Sequence, residues 1–95
     1  MTNQQNAYIG IATAHGKNDA ADWMSETPHW QWPAAIAPGT LGADEGLINA
    51  LGYTAVAKLF GVAECSPEFT DACKHYNDAW DEAVRAALKE TEKGA

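Results

Sequence analysis

Basic residues are scarce in this sequence. Only 6 of its 95 residues are Lys or Arg, against 13 Asp or Glu, which gives a formal net charge of −7. Proteins that bind nucleic acid neutralise its phosphates with Lys and Arg, so this balance disfavours direct contact with nucleic acid. The same balance favours a basic protein, or a nucleoprotein complex with a basic site, as the binding partner.

Cysteine and long apolar runs are scarce as well. The two cysteines, Cys65 and Cys73, do not make a disulfide framework. No apolar run approaches the roughly 18 residues of a membrane-spanning helix. The first residues are polar and lack the basic segment that begins a secretory signal. We therefore expect a cytoplasmic protein without a membrane partner.

Patterns that indicate catalysis or metal binding are missing. The sequence has no phosphate-cradling glycine loop, no nucleotide-binding fingerprint and no Ser/His/Asp order of a hydrolase. Its candidate metal ligands show neither a C-x-x-C nor an H-x-x-x-H spacing, as a zinc site requires. We expect neither an enzyme nor a bound metal or cofactor. The candidate ligands are His15, His29, His75, Cys65 and Cys73.

The most informative pattern that is present lies between Ser66 and Glu92. Apolar residues recur there every three or four positions, which predicts one long helix with a single buried stripe. Ser66, Pro67 and Glu68 have the order of an N-cap, a first-turn proline and a first-turn acid. The stripe consists of Phe69, Ala72, Cys73, Tyr76, Ala79, Trp80, Ala83, Val84, Ala87 and Leu88.

The opposite face of this helix is acidic. It carries Asp71, Asp78, Asp81 and Glu82, and between residues 64 and 82 six acidic residues stand against Lys74 alone. One interpretation is an ordinary solvated face. The other is a docking face for a basic protein surface, because an ordinary surface gains little from concentrating one sign of charge.

A first helix is predicted over residues 5–25, where two faces of the pattern are partly apolar. Two partly apolar faces indicate neighbours on both sides. Gly10 and Gly16 each lower the helix propensity by roughly 1 kcal/mol relative to Ala. We interpret both glycines as places where another backbone approaches closely.

Two short helices are predicted in the middle of the chain, over Ala43–Leu51 and Thr54–Phe60. Gly52 and Gly61 fit the left-handed position that follows a helix. Thr54 fits the N-cap of the second short helix. Residues 54–62 are also similar to the first helix and turn of a repressor-type helix-turn-helix. The next helix, however, offers no Lys or Arg before Lys74 to enter a DNA groove.

Residues 26–42 form a proline-rich connection with two tryptophans. In an extended tract, Trp30 and Trp32 would point the same way. They could pack on the helices as an aromatic clasp, or lie at an interface, where tryptophan is enriched among energetic hot spots. With Tyr8 they could instead form a platform for a planar ligand such as a nucleotide. Because each proline restricts its predecessor to extended geometry, three residues should not be helical: Thr27, Trp32 and Ala37.

Two segments, GKNDAADW at residues 16–23 and YNDAW at residues 76–80, resemble segments of small phage and mobile-element proteins. The short length, the acidity and the missing catalytic signature are similar to phage-encoded inhibitors of bacterial defence, including anti-CRISPR proteins. The resemblance implies a non-enzymatic protein that blocks a larger complex in the host cytoplasm. Such inhibitors share no common fold, so the resemblance assigns no functional residue.

The sequence as a whole predicts a single all-α domain over residues 1–95, with frayed ends at 1–5 and 91–95. It has about four helices, two longer ones around two short ones, with a long last helix and an aromatic proline-rich loop that closes one end. The leading hypothesis is a phage or mobile-element protein that inhibits a host nucleic-acid-handling defence complex. The alternatives are a nucleotide-binding or sponge protein and a structural dimerisation module, since the two-faced first helix could bury one face in a homodimer. The expected partner-binding residues are Asp71, Asp78, Asp81, Glu82, Trp30 and Trp32.

Overall fold

The apolar stripe in the last third of the sequence folds as one helix, α5 (Pro67–Gly94), in the computed structural model of the chain. The backbone amide of Phe69 donates a hydrogen bond to Ser66 Oγ at 3.1 Å, so Ser66 is the N-cap, as predicted. Pro67 is the first helical residue, where its missing N–H costs nothing. The helix continues to Gly94, and the expected fraying of residues 91–95 stays a prediction.

The structure describes residues 7–94, with side chains described through Thr91. No strand occurs in this range, which confirms the all-α class, and none of its helices is long and apolar enough to cross a membrane. The predicted fraying of residues 1–5 and the predicted helix start at Gln5 lie outside the described residues. The elements before α5 are α1 (Ala7–Glu26), a 3-10 helix (His29–Gln31), α2 (Trp32–Ala35), α3 (Ala43–Leu51) and α4 (Tyr53–Phe60).

The two long helices, α1 and α5, pack side by side and run in the same direction. Tyr8 Oη donates to Asp71 Oδ2 at 2.8 Å near the start of both helices. Further along both, Tyr76 Oη donates to Asp19 Oδ2 at 2.5 Å. Because α1 and α5 are parallel, the segment between them must return the chain to the starting end, and it does so through the short helices.

A glycine marks the closest approach of α1 to α5. A Cβ placed on Gly16 would press into the backbone carbonyl oxygen of Tyr76 and would lie 3.0 Å from Ala79 Cβ. Gly16 therefore permits contact between the two backbones, as predicted. The same prediction for Gly10 is wrong, because nothing lies within 4 Å of a Cβ there. The fully buried residues of α1 all lie on the face that carries Gly16, whereas Ile11 on the other face stays 39% exposed.

The buried side chains form two clusters along the shared length of α1 and α5. The first lies at the starting end, where α4 inserts Val56 and Phe60 against Phe69 and Tyr76 of α5. The second lies at the far end around Trp80. Its other members come from α1, α2 and the residue that follows it, α3 and α5, and include Ala20, Trp23, Met24, Trp32, Ile36, Val84 and Leu88.

The proline-rich connection is more helical than the sequence predicts. His29–Gln31 form a 3-10 helix, so the condition of an extended tract, under which Trp30 and Trp32 would point the same way, is not met. Trp32 is the first residue of α2 and not an extended residue, because Pro33 occupies the first turn, where a helix tolerates proline. The expectation was correct for Thr27 and Ala37, which are not helical.

The ends of α3 and α4 differ from the predicted caps in two places. Thr54 does not cap α4, which begins at Tyr53, and its Oγ1 instead donates to Glu64 Oε2 at 2.8 Å. Gly52 has a φ of 92° but a ψ of 157°, so it is not in the left-handed helical conformation. Gly61 is in that conformation, with a φ of 76° and a ψ of 32°, and closes α4 as predicted.

Candidate functional site

Two of the four predicted acidic residues on α5 are exposed to solvent. Asp78 and Glu82 are exposed and lie four residues apart, so their carboxylates are neighbours on the helix surface. The buried side chains of Tyr76, Trp80 and Val84 hold the opposite side of the same turns in the core. These two carboxylates therefore stand on a well-anchored part of the helix, as the sequence predicts.

Asp71 has a structural role that the sequence did not indicate. It accepts the hydrogen bond from Tyr8 at 2.8 Å, and His75 Nε2 lies 3.6 Å from the same oxygen, Oδ2. The hydrogen bond to Asp71 is the main reason why the pKa of Tyr8 is raised. The carboxylate of Asp71 is thus half-buried in the joint between α1 and α5, rather than fully solvated as the opposite-face interpretation expects.

Asp81 is also half-buried. Burial raises the pKa of its carboxyl, and the nearby charge of Asp78 acts in the same direction, while Arg85 opposes both. A carboxylate that is desolvated in this way has a weaker preference for the charged form than an exposed one. Asp81 contributes less accessible charge to the face than Asp78 or Glu82 does.

The face also carries positive charge. Lys74 Nζ lies 3.3 Å from Asp78 Oδ2, and both side chains are more than 60% exposed. An exposed pair of this kind contributes about 0.3–0.5 kcal/mol on a helix surface, so a partner can replace it at little cost. Lys74 thus neutralises Asp78 only in part.

Two further carboxylates that the sequence analysis did not include belong to this surface. Asp44 and Glu45 lie in the first turn of α3 and line a cleft between α3 and α5 together with Asp78. The acids were visible in the sequence only as partners for the dipole of α3. We call Asp44, Glu45, Asp78 and Glu82 the acidic surface.

A reciprocal pair of hydrogen bonds fixes the geometry of the acidic surface. The backbone amide of Asp44 donates to Asn77 Oδ1 at 2.7 Å, and Asn77 Nδ2 donates to Asp44 Oδ1 at 2.7 Å. Asn77 therefore caps the start of α3 from a different helix and ties α3 to α5. Since the two residues are 33 positions apart, no local sequence signal indicates this contact.

Trp30 and Trp32 have different environments. Trp32 Nε1 donates to the backbone oxygen of Thr27 at 3.0 Å, and the indole packs in the second core cluster. Trp30 is 76% exposed. The sequence left packing and interface as open alternatives for the pair. Trp32 packs on the helices, and the exposed Trp30 is available for an interface.

The predicted aromatic platform is not assembled. Tyr8 packs against the first core cluster, at the starting end of α1 and α5, and donates its hydrogen bond to Asp71. Trp32 packs in the second cluster at the far end. Because these two rings belong to opposite ends of the fold, Tyr8, Trp30 and Trp32 do not form one surface for a planar ligand.

The described part of the chain gathers no three His, Cys, Asp or Glu side chains that could hold a metal ion. Cys73 is buried, and this burial, with the nearby Asp44, raises the pKa of its thiol to about 11. A thiol with so high a pKa is a poor nucleophile near neutral pH. What the site offers chemically is negative charge on an ordered surface.

The chain was compared with protein-family models, with curated proteins and with solved structures. None of the three comparisons gave a match.

Proposed function

We propose that this chain is a non-enzymatic binding protein whose acidic surface docks on a basic site of a larger protein complex. The observation that supports this most is the placement of Asp44, Glu45, Asp78 and Glu82 on two helices joined by the Asn77 hydrogen bonds. Because these bonds hold the two helices together, the backbone need not rearrange to bring the four carboxylates to one surface, and more of the electrostatic attraction remains as affinity.

The target that fits this charge is a site built for nucleic acid. Such a site is rich in Lys and Arg, and an acidic protein surface competes with phosphates for it. The leading interpretation from the sequence, an anti-CRISPR-like inhibitor of a host defence complex, is the specific form of this proposal. Trp30, which is 76% exposed, is the aromatic side chain that we expect at the same interface or at its edge.

Two charge-matched variants test the proposal. Asp78→Lys with Glu82→Lys reverses two carboxylates of the acidic surface. Asp22→Lys with Glu26→Lys reverses two exposed carboxylates that are also four residues apart, but on α1. Both variants have the same formal charge, so they separate the location of charge from its amount.

The measurement is capture of proteins from a lysate of the bacterial host at low and at high salt, followed by mass spectrometry. We expect the wild-type chain and the α1 variant to retain a nucleic-acid-binding complex at low salt and to release it at high salt. The α5 variant should retain much less of it. Equal capture by both variants, or no salt-sensitive nucleic-acid-binding complex with the wild type, would contradict the proposal.

A further inference from the structure

The cleft between α3 and α5 has a volume of about 410 Å³ and two chemically different ends. At one end Tyr53 packs on Phe69, with ring centroids 6.1 Å apart, and Ile48 lines the same cleft. At the other end Asp44 is bonded to Asn77, and Asp78 follows directly along α5.

The distance between the two ends follows from the helix. Phe69 and Asp78 are nine residues apart on α5, and at 1.5 Å per residue the ends are separated by about 13 Å. Four residues of extended peptide span about the same distance. The cleft is therefore long enough for a short extended segment that presents one side chain to each end.

The chemistry of each end selects the side chain. Asp44, Glu45 and Asp78 favour a cation, and the planar guanidinium of arginine bonds to carboxylates with two parallel hydrogen bonds. Tyr53 is 60% exposed, so its ring offers apolar surface to a ligand. Lys74 also lines the cleft and lies 3.3 Å from Asp78, so an arginine bound at this end replaces Lys74 in an exposed, weak ion pair.

We infer that the cleft between α3 and α5 binds an extended segment of a basic partner protein, with an arginine at the acidic end and an apolar side chain four residues away on Tyr53. This assignment rests on the proposed function, because it names the part of the partner that the acidic surface receives. Charge complementarity and the spacing of the two ends carry it.

The probe is an acetylated and amidated peptide, Arg-Gly-Gly-Gly-Leu, added to isotope-labelled protein and followed by NMR. One control peptide has citrulline for arginine, which removes the charge but keeps the shape, and another has serine for leucine. We expect shifts at the amides that line the cleft, and at least a threefold weaker Kd for each control peptide. Shifts elsewhere only, or equal affinity of the citrulline peptide, would overturn the inference.

Two single variants test the same assignment from the protein side. Tyr53→Ala and Glu45→Gln alter exposed side chains, one at each end of the cleft. Glu90→Gln is the control, since it removes the same charge from an exposed position near the end of α5. We expect at least a threefold weaker Kd for the arginine peptide in the first two variants and no change in the control. Unchanged affinity in the first two variants would overturn the assignment.

The outcome separates this inference from the proposed function. If the wild-type chain captures a salt-sensitive basic complex but the peptide does not shift the amides of the cleft, only the assignment of the cleft fails. If the peptide binds in the cleft and no such complex is captured, the proposed function fails, while the cleft keeps its selectivity for a cationic peptide.

Discussion

Substituting Gly16 by alanine tests the packing that positions every other element. In an exposed helix interior, Gly→Ala is favourable by about 1 kcal/mol, because alanine has the higher helix propensity. At Gly16 the added Cβ would press into the carbonyl oxygen of Tyr76 and would lie 3.0 Å from Ala79 Cβ and 3.3 Å from Trp80 N. Two of these three atoms belong to the backbone of α5, so they cannot turn aside without moving the helix.

The size of the effect follows from the two opposing terms. Overpacking of a tight interior costs about 1–3 kcal/mol, and separating two helices along their shared core is at the upper end of this range. After the gain in propensity, we expect Gly16→Ala to lower the free energy of unfolding by about 1–2 kcal/mol. For a domain of this size, each 1 kcal/mol corresponds to a fall in Tm of about 4–8 °C.

Gly10→Ala is the matched control in the same helix. Nothing lies within 4 Å of a Cβ at this position, so only the propensity gain remains. We expect Gly10→Ala to raise the free energy of unfolding by about 0.5–1 kcal/mol. The assay is urea denaturation of both variants and the wild type, followed by circular dichroism. If Gly16→Ala were as stable as Gly10→Ala, the close parallel packing of α1 and α5 would be refuted.

Three further predictions concern stability, pH and thiol chemistry. Asn77→Ala removes both hydrogen bonds to the start of α3, and should lower the free energy of unfolding in urea by about 1–2 kcal/mol; an unchanged value would contradict the cap. Burial and the hydrogen bond to Asp19 raise the pKa of Tyr76 above its ordinary value of 10.0, so the unfolded chain loses this proton first. The free energy of unfolding should therefore fall as the pH rises above about 10, and should fall less steeply in Tyr76→Phe. The same pH dependence in the wild type and in Tyr76→Phe would contradict a raised pKa of Tyr76. A disulfide reagent near neutral pH should label the exposed Cys65 rapidly in the folded protein, and should label the buried Cys73 only after denaturation. Equally fast labelling of both thiols in the folded protein would contradict the burial of Cys73.

Signals that are local in sequence predicted local structure well. The stripe from Phe69 to Leu88 needs only the period of a helix, and each of its members is buried or half-buried. Ser66 and Gly61 were predicted correctly because an N-cap and a left-handed terminus depend on residues within one turn. For the same reason the all-α class could be predicted without knowing how the helices pack.

Predictions failed where tertiary contacts compete with local preference. Thr54 has the side chain of an N-cap, but Glu64 takes its hydroxyl. Trp32 precedes a proline, yet it starts α2 because its indole is anchored to Thr27 and to the second core cluster. Gly10 and Gly16 look alike in sequence, and only the packing of α5 distinguishes them.

The candidate site was only half visible in the sequence. The carboxylates of Asp78 and Glu82 follow from the face opposite the stripe. Asp44 and its neighbour Glu45 join them because Asp44 is hydrogen-bonded to Asn77, a contact between residues 33 positions apart that depends on how α3 lies on α5. Asp71 was assigned to the exposed face because its hydrogen-bond partner, Tyr8, is 63 positions away and no local pattern indicates that contact.

The most direct test of the account is the salt dependence of affinity for the captured complex. Affinity would be measured over a series of salt concentrations for the wild type and for the two charge-matched variants, reversed at Asp78 and Glu82 or at Asp22 and Glu26. Docking through the acidic surface predicts a steep fall with salt for the wild type and the α1 variant, and a weak, nearly flat dependence for the α5 variant. The same slope and affinity in all three proteins would contradict it.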